Sequence, residues 1–557
     1  MDYNYLADLL FPNTTEAPAD IEAKYPPRNL PEGAKVTRFA PSPTGFVHFG
    51  GLFPSTVGER LAHQSQGIFY LRIEDTDAKR EVEGAAEGLI TTLAHYGINF
   101  DEGAVLGGDR GDYGPYRQSQ RASIYHVYAK QLVREGKAYP CFCTDEEIQT
   151  LSQTDKKAEI KNKDWHEDAK AARLQMLKQR EFTIEEVEAE IKAGHKFVLR
   201  ILADGDPNKK VPFTDLIKGK LEIPENDEDF VLLKSDGIPT YHFAHAIDDH
   251  LMHTTHVMRG DEWISSVPKH IQLFRILGFK VPKFAHVSPI MKLDDGAKRK
   301  ISKRKDPEAA VHFFIEEGFD ALCVIEYLMT IAASDFEDFR RANPDKSYRE
   351  FKFNLKKMSV SGALFDQNKL LDVSKNIVSR MSGKEVSEKI TNWAKEFDKD
   401  FYSLLTNNPS YTEAIFSIDR DCAKPRKDIA RWKEAKDYVS YFFEELFTPD
   451  YTLPENIDVL DAIAFLKAYK EVYNENDDLK QWFDKIKDLC PALNFANETK
   501  LYKANPDLYK GHVGDLSTVL RIAITGRRNT PDLCSIMKVM GKDKCMERID
   551  RMILSVK

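Results

Sequence analysis

The apolar positions of this chain fall into two regimes. From Ala34 to about residue 308, short β-prone runs alternate with stretches of helical spacing; beyond that, the spacing is helical almost throughout. Ala34 to Phe39 reads as a strand, and Leu52, Phe53, Val57 and Leu61 mark a helix after it. Ile68 to Ile73 reads as a second, buried strand, followed by a helix over about Lys79 to Tyr96. A further helix is predicted over residues 117 to 136, and a charged, helical insertion over about 145 to 195. Phe230 to Met252 reads as a return to sheet, with Asp236-Gly237 as a hairpin turn. H-V-M-R-G-D-E-W ends a strand whose tip presents Arg259, Glu262 and Trp263; a helix over about Ser265 to Leu277 and the strand F-A-H-V-S-P-I-M follow. In the second regime, Phe313, Phe314, Ala321, Val324 and Leu328 mark one helical face, and Asp428 to Phe447 and Val459 to Tyr473 predict later helices. Alternating strands and helices imply an α/β domain, and the last two hundred or so residues imply one or two helical bundles.

Composition changes this picture little. A chain of 557 residues is too long for one core. Its 42% hydrophobic and 30% charged content is that of a globular protein. A net charge of −9 argues against indiscriminate coating of nucleic acid, while leaving room for local basic patches. No apolar run is long enough to span a bilayer, and the start M-D-Y-N-Y-L-A-D is acidic, so neither a membrane span nor a secretory signal is expected. Seven scattered cysteines, an odd number, read as the reduced thiols of a cytoplasmic protein. Residues 1 to about 33, rich in Pro, Asn and acidic groups, are expected to wrap the surface or fray.

The chemistry concentrates in R-F-A-P-S-P-T-G-F-V-H-F-G-G, Arg38 to Gly51. Pro41 and Pro43 stiffen a loop; Gly45, Gly50 and Gly51 let backbone approach a ligand. Strand, glycine-rich turn and helix N-terminus together cradle phosphate, because unpaired N–H groups and the helix dipole point at it. Far downstream, K-R-K-I-S-K-R-K (Lys298 to Lys305) is basic at six of eight positions, and its flanks, Asp294, Asp295, Gly296 and Pro307, predict a mobile loop. Glu74, Asp75 and Asp77 end the second strand, where an open α/β sheet binds its ligands; helix capping is the plainer role for Asp75 or Asp77. Cys141 and Cys143 are half a zinc set, with Cys323 next and only His166 or His195 to help, so zinc is not expected. His242, His245, His250 and His253 fit no common ligand spacing and read as polar lining or caps.

Taken together these motifs resemble glutamyl-tRNA synthetase of the bacterial type, a class I aminoacyl-tRNA synthetase. A-P-S-P-T-G-F-V-H-F-G-G is similar to that family's HIGH signature, L-R-I-E-D-T-D to its next block, and K-I-S-K-R (Lys300 to Arg304) to its KMSKS loop. G-P-Y-R-Q-S at Gly114, L-L-K-S-D-G-I-P-T-Y-H at Leu232, D-D-H-L-M at Asp248 and L-R-I-A-I-T-G at Leu520 add to the resemblance, which spans about residues 36 to 555. It implies a Rossmann-type catalytic domain split into 36–120 and 240–295, after an N-terminal extension at 1–35. An acceptor-binding domain would be inserted at 121–239; a KMSKS loop with a stem-contact helical domain would cover 296–375, and a helical anticodon-binding domain 376–557.

The implied reaction activates glutamate with Mg-ATP and passes the glutamyl group to tRNA(Glu), with charging of tRNA(Gln) left open. The resemblance assigns His48, Lys300 and Lys303 to catalysis. Glutamate would be held by Arg38, Ser42, Glu74, Tyr241 and Arg259, with His245 standing where some members have Asn. ATP would be held by His48, Gly50, Gly51, Glu262, Trp263 and Lys303. Arg521 and, more loosely, Arg426 would face the anticodon. No metal ligand is assigned, and a monomer is implied. The rivals are a related glutamyl or glutaminyl transfer enzyme and a non-catalytic tRNA-binding paralogue. The chain lacks R-F-D-D-T-N, keeps the helical C-terminal region, and retains His48, Glu74, Lys300 and Lys303, which disfavours both.

Overall fold

The computed structural model describes residues 1–45, 47–77, 82–143, 178–302 and 304–556. Two compact units divide the chain: residues 1–313 with 325–366, and residues 314–324 with 367–557. In the first, Val36–Phe39 pairs in parallel with Ile68–Leu71, and that strand in parallel with Glu102–Val105; Gly108–Arg110 closes the edge antiparallel. On the other side of Val36–Phe39 stands a second parallel pair, His256–Gly260 with Lys283–Val287. Thr255 joins the two groups, its N–H donating to the Val36 carbonyl at 3.0 Å. Val36–Phe39 is thus the strand from which the order runs outward both ways, the switch point at which α/β sheets open a crevice.

Local sequence explains most of these elements. The parallel strands are largely buried, and Ile68–Leu71 is an apolar run, as a strand covered on both faces tends to be, whereas Val36–Phe39 and His256–Gly260 bury Arg38 and Arg259. His48 caps the helix Phe49–His63, its Nδ1 accepting from the Gly50 N–H at 2.8 Å. Gly45 holds φ 129°, a conformation only glycine adopts without strain. The helix predicted from Lys79 begins at Ala85 behind Gly84, so neither Asp75 nor Asp77 is its N-cap; Asp75 instead accepts from the Ser119 N–H and hydroxyl, each at 2.7 Å.

Three further expectations need correcting. Phe230 to Met252 is not sheet throughout: Val231–Leu233 is a strand, the Asp236-Gly237 turn follows, and Tyr241–Leu251 is a helix. The basic stretch is not wholly loop, because Ala297–Lys300 pairs antiparallel with Met291–Asp294. Asp295 and Gly296, at φ 48° and 81°, make the tight turn between them. Asp428 to Phe447 is a chain of short helical turns, not one helix.

The N-terminal segment wraps and is anchored. Leu6, Leu10, Phe11, Ile21 and Tyr25 are buried; the Arg121 guanidinium donates to Tyr25 Oη at 3.1 Å, and Arg28 grips Glu102 with two bonds. Within 121–239, Ala138–Cys141, Val198–Ile201 and Val231–Leu233 form an antiparallel sheet, and Lys210–Asp215 and Gly219–Pro224 form a separate hairpin that lies against Lys283–Val287. Most of the charged insertion, residues 144–177, lies outside the described residues; Ile184–Lys192 is helical as predicted. The second unit is helical, built on an apolar cluster that includes Phe401, Phe465, Leu516, Ile522 and Ile549. Among the described residues no helix is long and apolar enough to cross a membrane.

Candidate active site

A cleft of about 640 Å³ opens at the carboxyl ends of Val36–Phe39 and His256–Gly260. His48, Gly50 and Gly51 line it from the first turn of their helix, so the positive end of a 15-residue helix dipole faces the cavity. A Cβ added to Gly51 would meet nothing of the chain closer than Phe39, at 3.5 Å. Because His48 Nδ1 accepts from Gly50, its proton sits on Nε2, which makes that nitrogen a donor.

Arg38, Ser42, Glu74, Tyr241 and Arg259 line the same cleft, as do Glu262, Trp263 and Lys300. Every predicted catalytic-domain residue except His245 and Lys303 is therefore gathered in one place. Lys303 lies outside the described residues. His245 is fully buried and not part of the lining; its ring stacks under Tyr241, 5.6 Å between centroids, with Nδ1 2.7 Å from Asp249. The cations of the basic stretch are not equivalent. Lys300 is more than half exposed and 4.0 Å from Glu262, whereas Arg299 is spent inside the chain on Asp294 and Asp306.

The two arginines of the cleft differ in their compensation. Arg38 donates through Nε to Asp249 at 3.2 Å and through Nη1 to the Met258 carbonyl at 3.3 Å, one residue before Arg259. Asp249 also takes a bond from Arg72 at 2.8 Å; Arg72 donates to Glu74 at 3.1 Å, and Arg121 donates to Asp248 at 2.7 Å. Three buried cations, Arg38, Arg72 and Arg121, so face three buried acids, Asp248, Asp249 and Glu74. Burial opposes the charge on Asp249, but Arg38, Arg72 and His245 hold it well below the usual carboxylate range. Burial pushes Glu74 up to about 7 in spite of Arg72 and Arg38.

Arg259 has no such acid. Its Nε lies 3.1 Å from His286 Nε2, its Nη2 3.1 Å from His270 Nδ1, and its Nη1 3.4 Å from Tyr241 Oη. Among the described residues no carboxylate pairs with it, and burial lowers its pKa from the ordinary guanidinium value. The surrounding histidines are kept neutral by burial: His242 and His245 are pushed down to about 4, and His270 well below its ordinary value. A desolvated, unmatched guanidinium in an open cleft is a receptor for an anion, best a planar carboxylate.

In the helical unit, Arg521 donates to the Thr530 hydroxyl and the Pro531 carbonyl, and Arg426 pairs with Asp428 at 2.5 Å. Burial lowers Arg521, and Arg426 is close enough to push the same way. Sequence reasoning missed Arg72, Asp215, His270 and His286. D-D-H-L-M drew notice as a motif, but nothing local announced which distant arginines its acids would hold. Among the described residues no group of three or more His, Cys, Asp or Glu is arranged to hold a metal.

Residues 35–372 match the family described as tRNA synthetases class I (E and Q), catalytic domain, and residues 401–553 an anticodon binding domain. The chain is 48% identical over 554 residues to a glutamate–tRNA ligase of Clostridium perfringens, covering 99% of this chain and all of the relative. It is 47% identical, with the same coverage, to one of Acetivibrio thermocellus. A crystal structure of a glutamate tRNA ligase from Elizabethkingia meningosepticum, in complex with its amino acid, superposes with a TM-score of 0.72 at 25% identity. That match spans 94% of this chain and 100% of the other.

Proposed function

The chain belongs to the class I tRNA synthetases of the glutamate and glutamine kind, and from that premise we propose a role for each group around the cleft. The protein is an aminoacyl-tRNA ligase that joins glutamate to tRNA. ATP, entering as its magnesium complex, lies over the helix N-terminus, with Gly50 and Gly51 giving room and His48 Nε2 donating to phosphate. Glu262 and Trp263 border the nucleotide. The glutamate α-carboxylate attacks the α-phosphorus in line, forming the glutamyl adenylate and releasing pyrophosphate. Lys300 and Lys303 neutralise the charge that builds on the leaving group, each such donor contributing ~3 kcal/mol. The 3′-terminal hydroxyl of the tRNA then attacks the acyl carbon and AMP departs.

The unmatched charge of Arg259 carries the substrate assignment. A glutamate side-chain carboxylate supplies the anion that this guanidinium lacks, with Arg38 and Tyr241 alongside. Ser42 and Glu74 hold the α-ammonium, and the incoming cation keeps Glu74 ionised. Glutamine would leave a buried cation uncompensated, a discrimination of ~10⁴. In this reading residues 121–239 meet the acceptor end, and Arg521 and Arg426, in 376–557, read the anticodon; the enzyme works as a cytoplasmic monomer.

The deciding experiment is acylation of purified tRNA(Glu) and tRNA(Gln) with glutamate, alongside ATP–pyrophosphate exchange with and without tRNA. We expect tRNA(Glu) to be charged, and the tRNA(Gln) arm tells a discriminating enzyme from a non-discriminating one. Charging of neither tRNA, or absence of exchange, would overturn the reading.

A further inference from the structure

We propose that Asp215 and His286 are a positioning pair for Arg259, through which the hairpin Lys210–Pro224 sets the affinity of the cleft for the acidic side chain. This rests on Arg259 receiving the substrate carboxylate, as argued above. Arg259 and His286 are direct partners on adjacent parallel strands, so the imidazole lies against the guanidinium by register. His286 Nε2 is the acceptor for Arg259 Nε at 3.1 Å. Behind it, His286 Nδ1 is 2.6 Å from Asp215 Oδ2.

That order of contacts fixes where the proton is. Asp215 is 1% exposed and accepts from the backbone N–H groups of Ile217 at 2.9 Å, Lys218 at 2.8 Å and His286 at 3.1 Å. Burial opposes its charge, but these donors and His286 hold its pKa below the usual carboxylate range, so it is an acceptor only. His286 must therefore carry its proton on Nδ1, which leaves the Nε2 lone pair for Arg259. The other tautomer, or the imidazolium, would aim an N–H at the guanidinium. With Nε and Nη2 held by His286 and His270, Nη1 has, among the described residues, only the weak Tyr241 contact and is left for a ligand.

The pair also answers a problem of charge. A carboxylate touching Arg259 would fill the place of the substrate, whereas Asp249 takes only the Nε of Arg38. Set one imidazole ring away, Asp215 stabilises the cation without occupying it. The turn that carries Asp215 is clamped in place: Lys218 Nζ donates to Asp261 at 3.0 Å, to the Val360 carbonyl at 2.7 Å and to the Ser288 hydroxyl, and Ser288 lines the cleft. This gives a residue of the 121–239 segment a defined part in amino-acid recognition.

The test compares wild type with Asp215→Asn, His286→Leu and His286→Gln in pyrophosphate exchange with tRNA present, measuring KM for glutamate and for ATP, kcat, and melting temperature. Gln can accept from Arg259 and donate to Asp215; Leu can do neither. We expect Asp215→Asn and His286→Leu to raise glutamate KM about 10- to 100-fold, the effect of losing a bond to a charged group. His286→Gln should stay within about threefold of wild type by the same reasoning, with ATP KM unchanged throughout. A folded Asp215→Asn enzyme with wild-type glutamate KM overturns the proposal, and so do equal losses in His286→Gln and His286→Leu. If Arg259→Ala leaves glutamate KM unchanged, the underlying assignment of Arg259 fails instead, and the pair falls with it.

Discussion

The two units bury different things. In the first, Arg38, Arg72, Arg121, Asp248, Asp249, Arg259, His245, His270 and His286 are all within the interior. In the helical unit the interior is a continuous cluster of Phe, Tyr, Leu and Ile side chains, and the fully buried cation there, Arg548, lies over the Phe447 ring and is paired with Glu444, itself nearly half exposed. A buried charge costs desolvation that only well-made partners repay, so nature rarely spends it on cohesion alone. The difference locates chemistry in the first unit and surface recognition in the second: one holds its charges inside, around a cleft, and the other keeps most of its arginines near the outside of an apolar scaffold.

The sharpest way to break that contrast is Arg259→Ala. We expect a fall of ~10³–10⁴ in kcat/KM for glutamate, carried by KM, with ATP binding nearly intact, as steady-state kinetics would show. An unchanged glutamate KM would remove Arg259 from the pocket. Next in size is Asp248→Ala. Arg121, Gln118 and Tyr125 all donate to this carboxylate, and its loss strands a buried guanidinium. Denaturant unfolding should register a destabilisation of ~3–5 kcal/mol in the first unit. Arg548→Met is the matching change in the second unit. It keeps the apolar bulk over Phe447 and leaves the half-exposed Glu444 to Arg551 and Lys544, so the loss should be ~1 kcal/mol or less. Equal costs for the two substitutions would mean that the charges of the first unit are ordinary packing.

The same contrast governed what could be read from sequence. Ile68–Leu71 was legible because a strand buried on both faces is a continuous apolar run, and Val36–Phe39, interrupted by Thr37 and Arg38, because its β-prone residues run into the Pro41–Pro43 loop. Tyr241–Leu251 was not: Phe243, Ala244, His245, Ala246, Ile247, Asp248, Asp249 and Leu251 are all buried, so no polar stripe marks a helical period. Asp428 to Phe447 looked helical, but its aromatic and β-branched run from Tyr438 to Phe443 favours helix poorly, and Phe443 turns extended at φ −114°, ψ 125°. The residues that line the cleft were legible because motifs keep them close in sequence. The acids and histidines that orient them come from far away, Asp249 lying 211 positions from Arg38 and Asp215 71 from His286. Local pattern carries no record of such pairings.

The smallest effect probes the edge of the first unit, where charge is neither buried in the cleft nor free in solvent. His63, in the last turn of the cleft helix, is 3.0 Å from Asp101 through Nε2 and 3.2 Å from Glu59 through Nδ1. Asp101 also accepts from the Phe69 N–H at 2.7 Å, so the imidazolium ties the helix to its neighbouring strand. The bonds to Asp101 and Glu59 raise His63 to about 9. A folded-state pKa above the unfolded value stabilises while the group is charged in the fold, so the contribution is full below about 6.5 and lost as pH rises through about 9. With the ring half-buried, solvent screening limits it to ~1 kcal/mol, a shift of ~1–2 °C in melting temperature for a unit of this size. His63→Gln should melt below wild type at pH 6 and converge with it by pH 10. A gap that stayed constant across that range would make His63 a packing residue, and the ion pairs at the edge would then contribute nothing measurable.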